Sequence, residues 1–249
     1  PGVRETVLAD LTLLRLLGAL LNGLVPHYQP AAIIEEFRTY TVRELDLTAE
    51  ADNGETFAAH FHDIPAIVFP RMFRELSSIS VLTMAYLDGF KPGEPATFSL
   101  DEAARAQVVK LGAQAILRML YRDGFFHADL HAGNLLILNG QDTQVGFIDL
   151  GMVGRFEDET RRRLLYYYHA LVNGDVEKAA WHLSGIADLG PGGNPGEFRR
   201  AVVELSRRFL LHAQRGDFSI ARLILESMRL GGRYRMYFRV DLVLMVKAL

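Results

Sequence analysis

The stretch HADLHAGNLLILNGQDTQVGFIDLG, residues 127–151, decides the fold of this 249-residue chain. It places two histidines, two candidate metal-binding carboxylates and an asparagine around two short apolar runs, LLIL and VGFI. The sequence NGQD between the runs is turn-forming, so the stretch predicts two strands joined by a tight turn. Candidate catalytic residues precede the first strand and follow the second.

The spacing of these polar residues is typical of phosphoryl transfer. That reaction needs a carboxylate that orients or deprotonates the acceptor, and oxygen ligands that hold Mg²⁺ against the phosphates. Asp129 and Asn134 are five residues apart, as in the kinase pattern H-R-D-x-x-x-x-N, and Asp149 follows the second strand like the aspartate of a kinase Asp-Phe-Gly motif. We therefore expect Asp129, Asn134 and Asp149 to be catalytic, with Asn134 and Asp149 as magnesium ligands.

A structural interpretation competes with this one, because isolated Asp and Asn residues usually lie in turns and caps. The full order of long helix, polar loop, strand, turn, strand and Asp-x-Gly favours a kinase-like C-lobe. His127 is expected to support the loop through hydrogen bonds, and the pattern assigns no role to His131.

Composition narrows the function classes. With 49% apolar residues the chain can bury a large core. A formal net charge of -3 lacks the electrostatic footprint of a nonspecific nucleic-acid binder, so no nucleic-acid partner is expected. The absence of cysteine excludes a disulfide framework, thiolate zinc sites and a cysteine nucleophile, and a cytoplasmic location is the default.

The first 90 residues predict a partial N-lobe. Residues 2–23 have helical periodicity, and their apolar run LTLLRLLGALLNGLV, which carries Arg15, is shorter than the about 20 residues needed to span a bilayer. A second helical region covers residues 31–61. Two β-like runs, near 71–75 and 81–86, are joined by SSIS and predict a hairpin.

The Pro- and Gly-rich connector GFKPGEPATFS marks the predicted lobe boundary. A helix capped by Ser99 or Asp101 and ended by Gly124 follows it. Further helices are expected near 157–173, 175–188, 196–215, 219–230 and 237–249, with Trp181 and YYYHA in the core. The predicted fold is α+β and protein-kinase-like, with an incomplete N-lobe at 1–90 and a mostly helical C-lobe at 91–249.

The stretches ELDLTAEADN, FFHADLHAGNLLIL and FIDLG resemble the UbiB/AarF family of atypical kinases over essentially the whole chain. Glu44 and Asp46 match the E-x-D motif of that family, and Glu50 matches the glutamate that pairs with its nucleotide-binding lysine. Periodicity also places the three acidic residues on one helix, where like charges at i,i+4 cost a few tenths of a kcal/mol. A solvated acidic face is the commonest meaning of such a triplet taken alone.

The strand SVLTMAYLDG resembles the family's hinge, which contacts adenine. The resemblance implies that Met84, Ala85, Tyr86 and Leu87 bind the nucleotide, with Met84 as the gatekeeper. Ala85 stands where the family usually has an acidic residue. Because hinge contacts are mainly through the backbone, this change is expected to alter the pocket without abolishing it.

The family resemblance implies an atypical kinase or ATPase that uses ATP and Mg²⁺ and supports isoprenoid-quinone (ubiquinone-like) metabolism at a membrane. In the family a K-x-G-Q segment is thought to occupy the peptide site, which leaves water or a small lipid-like acceptor. Two alternatives stay open: an aminoglycoside or choline phosphotransferase, and a noncatalytic, nucleotide-gated binding module.

A glycine-rich loop and a β3 lysine, which kinase-type sites need, are missing from the sequence, whose first lysine is Lys91. The opening PGVRE resembles the family segment just after the lysine strand. We therefore expect a fragment truncated at both ends, without its phosphate-binding lysine and inactive alone.

The C-terminal stretch SIARLILESMRLGGRYRMYFRVDLVLMVKAL interleaves five arginines with apolar residues. It is compatible with peripheral contact to an anionic membrane surface. An ordinary helical pair that covers the C-lobe, with arginines on its solvated face, is the simpler explanation of the pattern.

Overall fold

The structure is a computed structural model that describes residues 2–24, 31, 34–35, 37–38, 41–42, 45–213 and 219–248. It contains two compact units that interleave along the chain. The smaller comprises Pro1–His62, Phe69–Leu87 and Asp149–Gly151, and the larger comprises Asp63–Val68, Asp88–Ile148 and Met152–Leu249. The predicted lobe boundary near residue 90 stays a prediction. The two units are not divided at one position, because each contains segments from both sides of residue 90.

Helix α1, Val3–Leu24, confirms the predicted N-terminal helix. Leu13, Leu16 and Leu20 are three and four residues apart and are each 65% exposed, whereas Leu11 is buried. Over the 19 residues Glu5–Gly23 the helix is long and apolar enough, by length and composition alone, to cross a membrane. This stretch is longer than the apolar run that the sequence suggested.

Helix α2, Leu47–His60, begins directly after Asp46. The Oδ1 atom of Asp46 accepts hydrogen bonds from the backbone N–H of Thr48 at 3.0 Å and from its hydroxyl at 2.5 Å. Asp46 is therefore the N-cap, which satisfies N–H groups that have no partner within the helix. The prediction that Glu44, Asp46 and Glu50 share one helix is wrong for Asp46, and Glu44 lies outside the described residues.

The predicted hairpin is present as paired backbone rather than as two regular strands. Met72 and Met84 form an antiparallel bridge, and a second bridge closes the turn. Residues Arg74–Leu76 form a 3₁₀ turn, so the first run is not a continuous strand. The Arg74 guanidinium instead binds Asp52 and Glu55 of α2.

Aromatic and sulfur packing fills the core of the smaller unit. Phe57 of α2 is fully buried and stacks on Phe69, with ring centroids 5.1 Å apart. Gly54 faces Met72 and Leu150, and an added Cβ would lie 2.1 Å from the Met72 Cε. Residues 149–151 are thus packed closely against α2.

The strands of the larger unit are short. They are β1 Ile67–Val68, β2 Gly89–Phe90, β3 Phe125–His127, β4 Leu135–Leu138, β5 Val145–Phe147, β6 Val153–Arg155, β7 Asp188–Leu189 and β8 Met236–Tyr237. Strands β1, β5, β4 and β2 form one sheet in that order, while β3–β6 and β7–β8 form two-stranded ribbons. The predicted antiparallel pair of LLIL and VGFI is confirmed as β4 and β5, with Leu136 opposite Gly146.

The predicted C-lobe helices are confirmed. They are α4 Glu102–Leu117, α5 Asp158–Val172, α6 Val176–Ser184, α7 Pro195–Ala213, α8 Ile220–Tyr234 and α9 Val240–Ala248. A short helix, α3 Pro95–Phe98, lies in the stretch predicted as the connector. Asp101 caps α4, since its Oδ1 accepts the Ala104 N–H at 2.7 Å. A π-helical turn, Arg118–Asp123, extends α4 and ends at Gly124 with a φ of 63°.

Two features of the helical part depart from the sequence prediction or add to it. Trp181 was expected in the core but is 53% exposed, with the Arg163 guanidinium 5.5 Å from its ring. Arg118 is buried, and its guanidinium reaches Asp63 at 2.7 Å and Asp123 at 3.4 Å. Because an uncompensated buried charge is costly, the contacts of Arg118 with Asp63 and Asp123 hold the end of α4 in place just before β3.

The β3–β6 ribbon requires a glycine at position 154. Phe126 lies opposite Gly154, and a Cβ added there would be 2.1 Å from the Phe126 ring. Helix α9 packs against both strands of the ribbon. The ribbon therefore has no space for a side chain at this position.

We expect Gly154→Ala to lower the free energy of unfolding by about 1–3 kcal/mol, because overpacking displaces Phe126. Gly112→Ala is a matched control: Gly112 lies in α4 with nothing within 4 Å of its added Cβ. That change should stabilise the protein by up to about 1 kcal/mol through helix propensity. Chemical denaturation measures both, and two shifts of the same sign would contradict the packing account.

Candidate active site

The loop between β3 and β4 carries the predicted catalytic residues. It leaves β3 at His127, makes a 3₁₀ turn over Ala132–Asn134 and enters β4 at Leu135. The side chain of His131 caps this turn by accepting the Gly133 N–H through Nδ1 at 3.0 Å. The path of the loop is therefore set by short-range hydrogen bonds.

His127 supports the loop, as the sequence predicted. It is 2% exposed, and its Nδ1 accepts the backbone N–H of Asp129 at 3.2 Å. An accepting Nδ1 carries no proton, so the neutral ring is protonated on Nε2. This bond fixes the backbone from which the Asp129 carboxylate projects.

Asn134 is buried and holds the loop from its other end. Its side-chain Nδ2 donates to the backbone carbonyl oxygen of Asp129 at 3.0 Å. Its backbone carbonyl oxygen accepts the Ile148 N–H at 3.0 Å. With the amide nitrogen engaged, the amide oxygen is the atom of the side chain that can ligate a hard cation. The backbone bond also ties Asn134 to the residue before Asp149.

The Asp129 carboxylate is the accessible acid of the loop. Its side chain is 34% exposed, and its Oδ2 lies 4.0 Å from the Nε2 of His131. Sequence reasoning gave His131 no role, because the contact depends on the folded path of the loop. The H-x-D-x-H spacing was the signal that could have indicated it.

Asp149 has an unusual backbone conformation. Its φ is 59°, and among the described residues Arg235 is the other non-glycine with a positive value. Such a left-handed residue is uncommon, although Asp adopts it more readily than most, and it is often found at functional sites. The side chain of Asp149 is exposed.

Glu50 contacts the Asp-x-Gly segment directly. Its Oε1 accepts the Leu150 N–H at 3.0 Å, and Asn53 donates from Nδ2 to the Leu150 carbonyl at 2.9 Å. Two polar side chains of α2 thus hold both backbone groups of the residue after Asp149. The predicted role of Glu50 as the partner of a lysine stays a prediction.

The hinge-like segment lies at the end of the irregular hairpin. The Ala85 N–H donates to the Arg71 carbonyl at 2.8 Å, and Tyr86 is 87% exposed. Met84 is partly exposed, and Leu87 ends this part of the smaller unit. Nucleotide contacts of these residues stay a prediction.

The structure brings His127, Asp129, His131 and Asn134 into one hydrogen-bonded loop of the larger unit. It also joins Glu50 to the Asp-x-Gly segment in the smaller unit. Among the described residues there is no group of three or more His, Cys, Asp or Glu side chains suited to a metal. The assignment of Asn134 and Asp149 as magnesium ligands stays a prediction; amide and carboxylate oxygens are donor types that Mg²⁺ accepts.

The sequence of residues 1–183 matches the ABC1 atypical kinase-like domain. The chain belongs to this family. The ABC1 match covers both the loop with Asp129 and the Asp-x-Gly segment, so the UbiB/AarF resemblance expected from the motifs is confirmed.

Curated relatives agree with the ABC1 assignment. The chain is 27% identical over its whole length to a probable protein kinase UbiB from Shewanella pealeana, and it covers 46% of that protein. It is 32% identical over 77% of its length to ACTIVITY OF BC1 COMPLEX KINASE 3, a chloroplastic protein of Arabidopsis thaliana, of which it covers 27%. The chain thus spans less than half the length of these ABC1 relatives.

A solved structure supports the fold. The chain matches Rv3197 from Mycobacterium tuberculosis, in its complex with erythromycin, over 100% of this chain and 68% of that one. The TM-score is 0.64 and the sequence identity is 21%. The predicted kinase-like α+β fold is confirmed for this ABC1 chain.

We expect His127→Leu to lower the free energy of unfolding by about 1–3 kcal/mol, because the Asp129 N–H loses its acceptor. His127→Asn is the matched variant, since the Asn Oδ1 can take the place of the imidazole Nδ1. It should lose less stability than the leucine variant. Denaturant unfolding compares the two, and an equal loss would mean that ring packing, rather than this hydrogen bond, makes His127 important.

Proposed function

We propose that this protein is a Mg-ATP-dependent atypical kinase or ATPase of the UbiB type, which supports isoprenoid-quinone metabolism at a membrane. The observation that carries the proposal is the arrangement at Asp129: His127 accepts its N–H and Asn134 donates to its carbonyl. A carboxylate on a backbone fixed at both ends is suited to orient an acceptor.

Asp129 is the proposed general base. Its carboxylate takes the proton from an acceptor hydroxyl or from water as the acceptor oxygen bonds to the γ-phosphorus. The bond from that phosphorus to the β–γ bridging oxygen breaks, and the electron pair leaves with ADP. In kinase-type sites this residue mainly positions the nucleophile, because the transition state is loose.

Asn134 and Asp149 are the proposed ligands of Mg²⁺, which when bound neutralises charge on the phosphates. Two features support this assignment. The Asn134 amide nitrogen is engaged by Asp129, which leaves its oxygen for a cation. The Asp149 side chain is exposed, and hydrogen bonds at Ile148 and Leu150 hold the backbone on both sides of it.

We assign nucleotide contacts to the backbone of Met84, Ala85, Tyr86 and Leu87. We propose that Glu44 and Asp46 act near the phosphates as the family's E-x-D motif. We also propose that Glu50, which accepts the Leu150 N–H, pairs with a nucleotide-binding lysine. The first lysine of the chain is Lys91, beyond the hinge-like segment. We therefore propose that the 249 residues alone bind ATP weakly and turn it over slowly.

The proposed acceptor is water or a small lipid-like molecule rather than a protein. The resemblance of the motifs to the UbiB/AarF family supports a role in quinone metabolism, and the names of the relatives from Shewanella pealeana and Arabidopsis thaliana both describe kinases. Exposed leucines along α1 are compatible with peripheral contact between a cytoplasmic protein and a membrane.

We expect Asp129→Asn to lower turnover by about 10²–10⁴, the usual range for a general base, while ATP affinity is kept. Asp149→Asn should instead weaken Mg-dependent ATP binding, because it removes a metal ligand. Asp142→Asn, in the exposed turn between β4 and β5, is the control and should change neither. ATP affinity is measured on this chain. Turnover is measured both on this chain and on a full-length UbiB-type relative that carries the matching substitutions.

Three outcomes of these assays would contradict the proposal. Full turnover in the Asp129 variant, with ATP still bound, would favour a noncatalytic nucleotide-gated module. Phosphorylation of an aminoglycoside or choline would favour a small-molecule phosphotransferase. Robust phosphorylation of generic protein substrates would exclude the proposed acceptor class.

A further inference from the structure

A groove lies between α7 and α8. Its volume is about 260 Å³. The residues that line it are Leu205, Arg208, Glu226, Arg229, Leu230 and Arg233. It therefore combines an apolar floor of two leucines with three arginines.

The arginines of α8 share one face of the helix. Glu226, Arg229, Leu230 and Arg233 are spaced by three, one and three residues, so their side chains lie along one side. Arg229 and Arg233 are i,i+4 neighbours, and like charges at this spacing destabilise a helix by a few tenths of a kcal/mol. An anion bound between them would relieve that repulsion.

The charges of the groove do not balance. Glu226 is the one acidic residue that lines the groove. Its Oε1 forms an ion pair with the Nε of Arg222, which lies outside the groove lining, at 3.3 Å. Across the part of the chain that the structure describes, neither Arg229 nor Arg233 has a carboxylate within ion-pair distance. Arg208 is paired with Glu204, whose Oε1 lies 4.0 Å from its Nε. The positive charge that no described carboxylate pairs is therefore that of Arg229 and Arg233.

The shape and chemistry of the groove indicate what it would bind. Arginine presents a planar fork of donors that matches phosphate oxygens and stays charged at all relevant pH values. The groove is smaller than the about 300–1,000 Å³ typical of pockets for drug-sized molecules, so it suits a headgroup-sized anion. Leu205 is buried and Leu230 half-buried, which allows an apolar group to lie beside the phosphate.

We propose that this groove is a binding site for the phosphate group of an anionic ligand, held by Arg229 and Arg233 with Arg208 at the opposite wall. The site is separate from the proposed phosphoryl-transfer chemistry, because none of its residues belongs to the Asp129 loop or the Asp-x-Gly segment. The same phosphate chemistry occurs in lipid headgroups and in soluble phosphate esters.

The test measures binding of the full chain to three probes: vesicles of phosphatidylcholine with phosphatidylglycerol, vesicles of phosphatidylcholine alone, and inorganic phosphate. The double variant Arg229→Gln with Arg233→Gln should weaken phosphate or anionic-vesicle binding about tenfold or more, since two charge-assisted contacts are lost. Arg229→Lys with Arg233→Lys should weaken it less, because charge remains but the fork is lost.

The matched control changes two arginines outside the groove, Arg162→Gln with Arg200→Gln, whose side chains are 64% and 79% exposed. It removes the same net charge and should leave binding unchanged. Thermal melting confirms that each variant is folded, and the single variant Arg233→Gln replaces the double one if the latter unfolds.

Binding to anionic vesicles alone identifies a lipid headgroup, and binding of inorganic phosphate with the same variant dependence identifies a soluble phosphate; either supports the site. Equal losses in the control, no loss in the glutamine variant, or full binding in the lysine variant would overturn it. Asp129→Asn should bind the probes normally. A loss confined to that variant would assign the phosphate to the catalytic loop, which would refute the groove while leaving the proposed function intact.

Discussion

The hydrogen bond from the Asn134 amide nitrogen to the Asp129 carbonyl, 3.0 Å long, is the contact on which the candidate active site depends. It closes the loop between β3 and β4, fixes the backbone that carries the Asp129 carboxylate, and leaves the Asn134 amide oxygen outside this bond. Because Asn134 is buried, an unpaired amide there would cost about 1–3 kcal/mol. The same bond therefore stabilises the loop and orients both functional groups.

Further hydrogen bonds within each unit hold the chain before and after Asp149. The antiparallel β4–β5 pair sets the path from Asn134 to Ile148, whose N–H returns to the Asn134 carbonyl. Glu50 and Asn53 then hold the backbone of Leu150 from α2. Asp149 lies in sequence between Ile148 and Leu150, and its φ of 59° is left-handed.

The sequence predicted the parts of the site that are local. Asp129 and Asn134 could be recognised because five residues of one loop set their spacing, and β4 and β5 because each is a continuous apolar run. The pairing of Ile67 with Val145 could not be predicted from the sequence, because a two-residue strand has no periodicity and its partner strand is distant in sequence. Charge periodicity predicts Asp46 inside the helix, but its side chain accepts the Thr48 N–H from the N-cap position just before the helix. Trp181 lies at the surface, where the Arg163 guanidinium contacts its ring, and nothing in the local sequence pattern distinguishes it from a core tryptophan.

The central proposal is that the Asn134 amide oxygen and the Asp149 carboxylate would ligate the metal of Mg-ATP. Replacing Mg²⁺ by paramagnetic Mn²⁺ with ATP, and recording amide resonances of the ¹⁵N-labelled chain, tests it most directly. The account predicts that the amides of Asn134 and Leu150 broaden most, and that Asn134→Ala abolishes the effect at both. Unchanged resonances at these two residues, with broadening elsewhere in the chain, would contradict it.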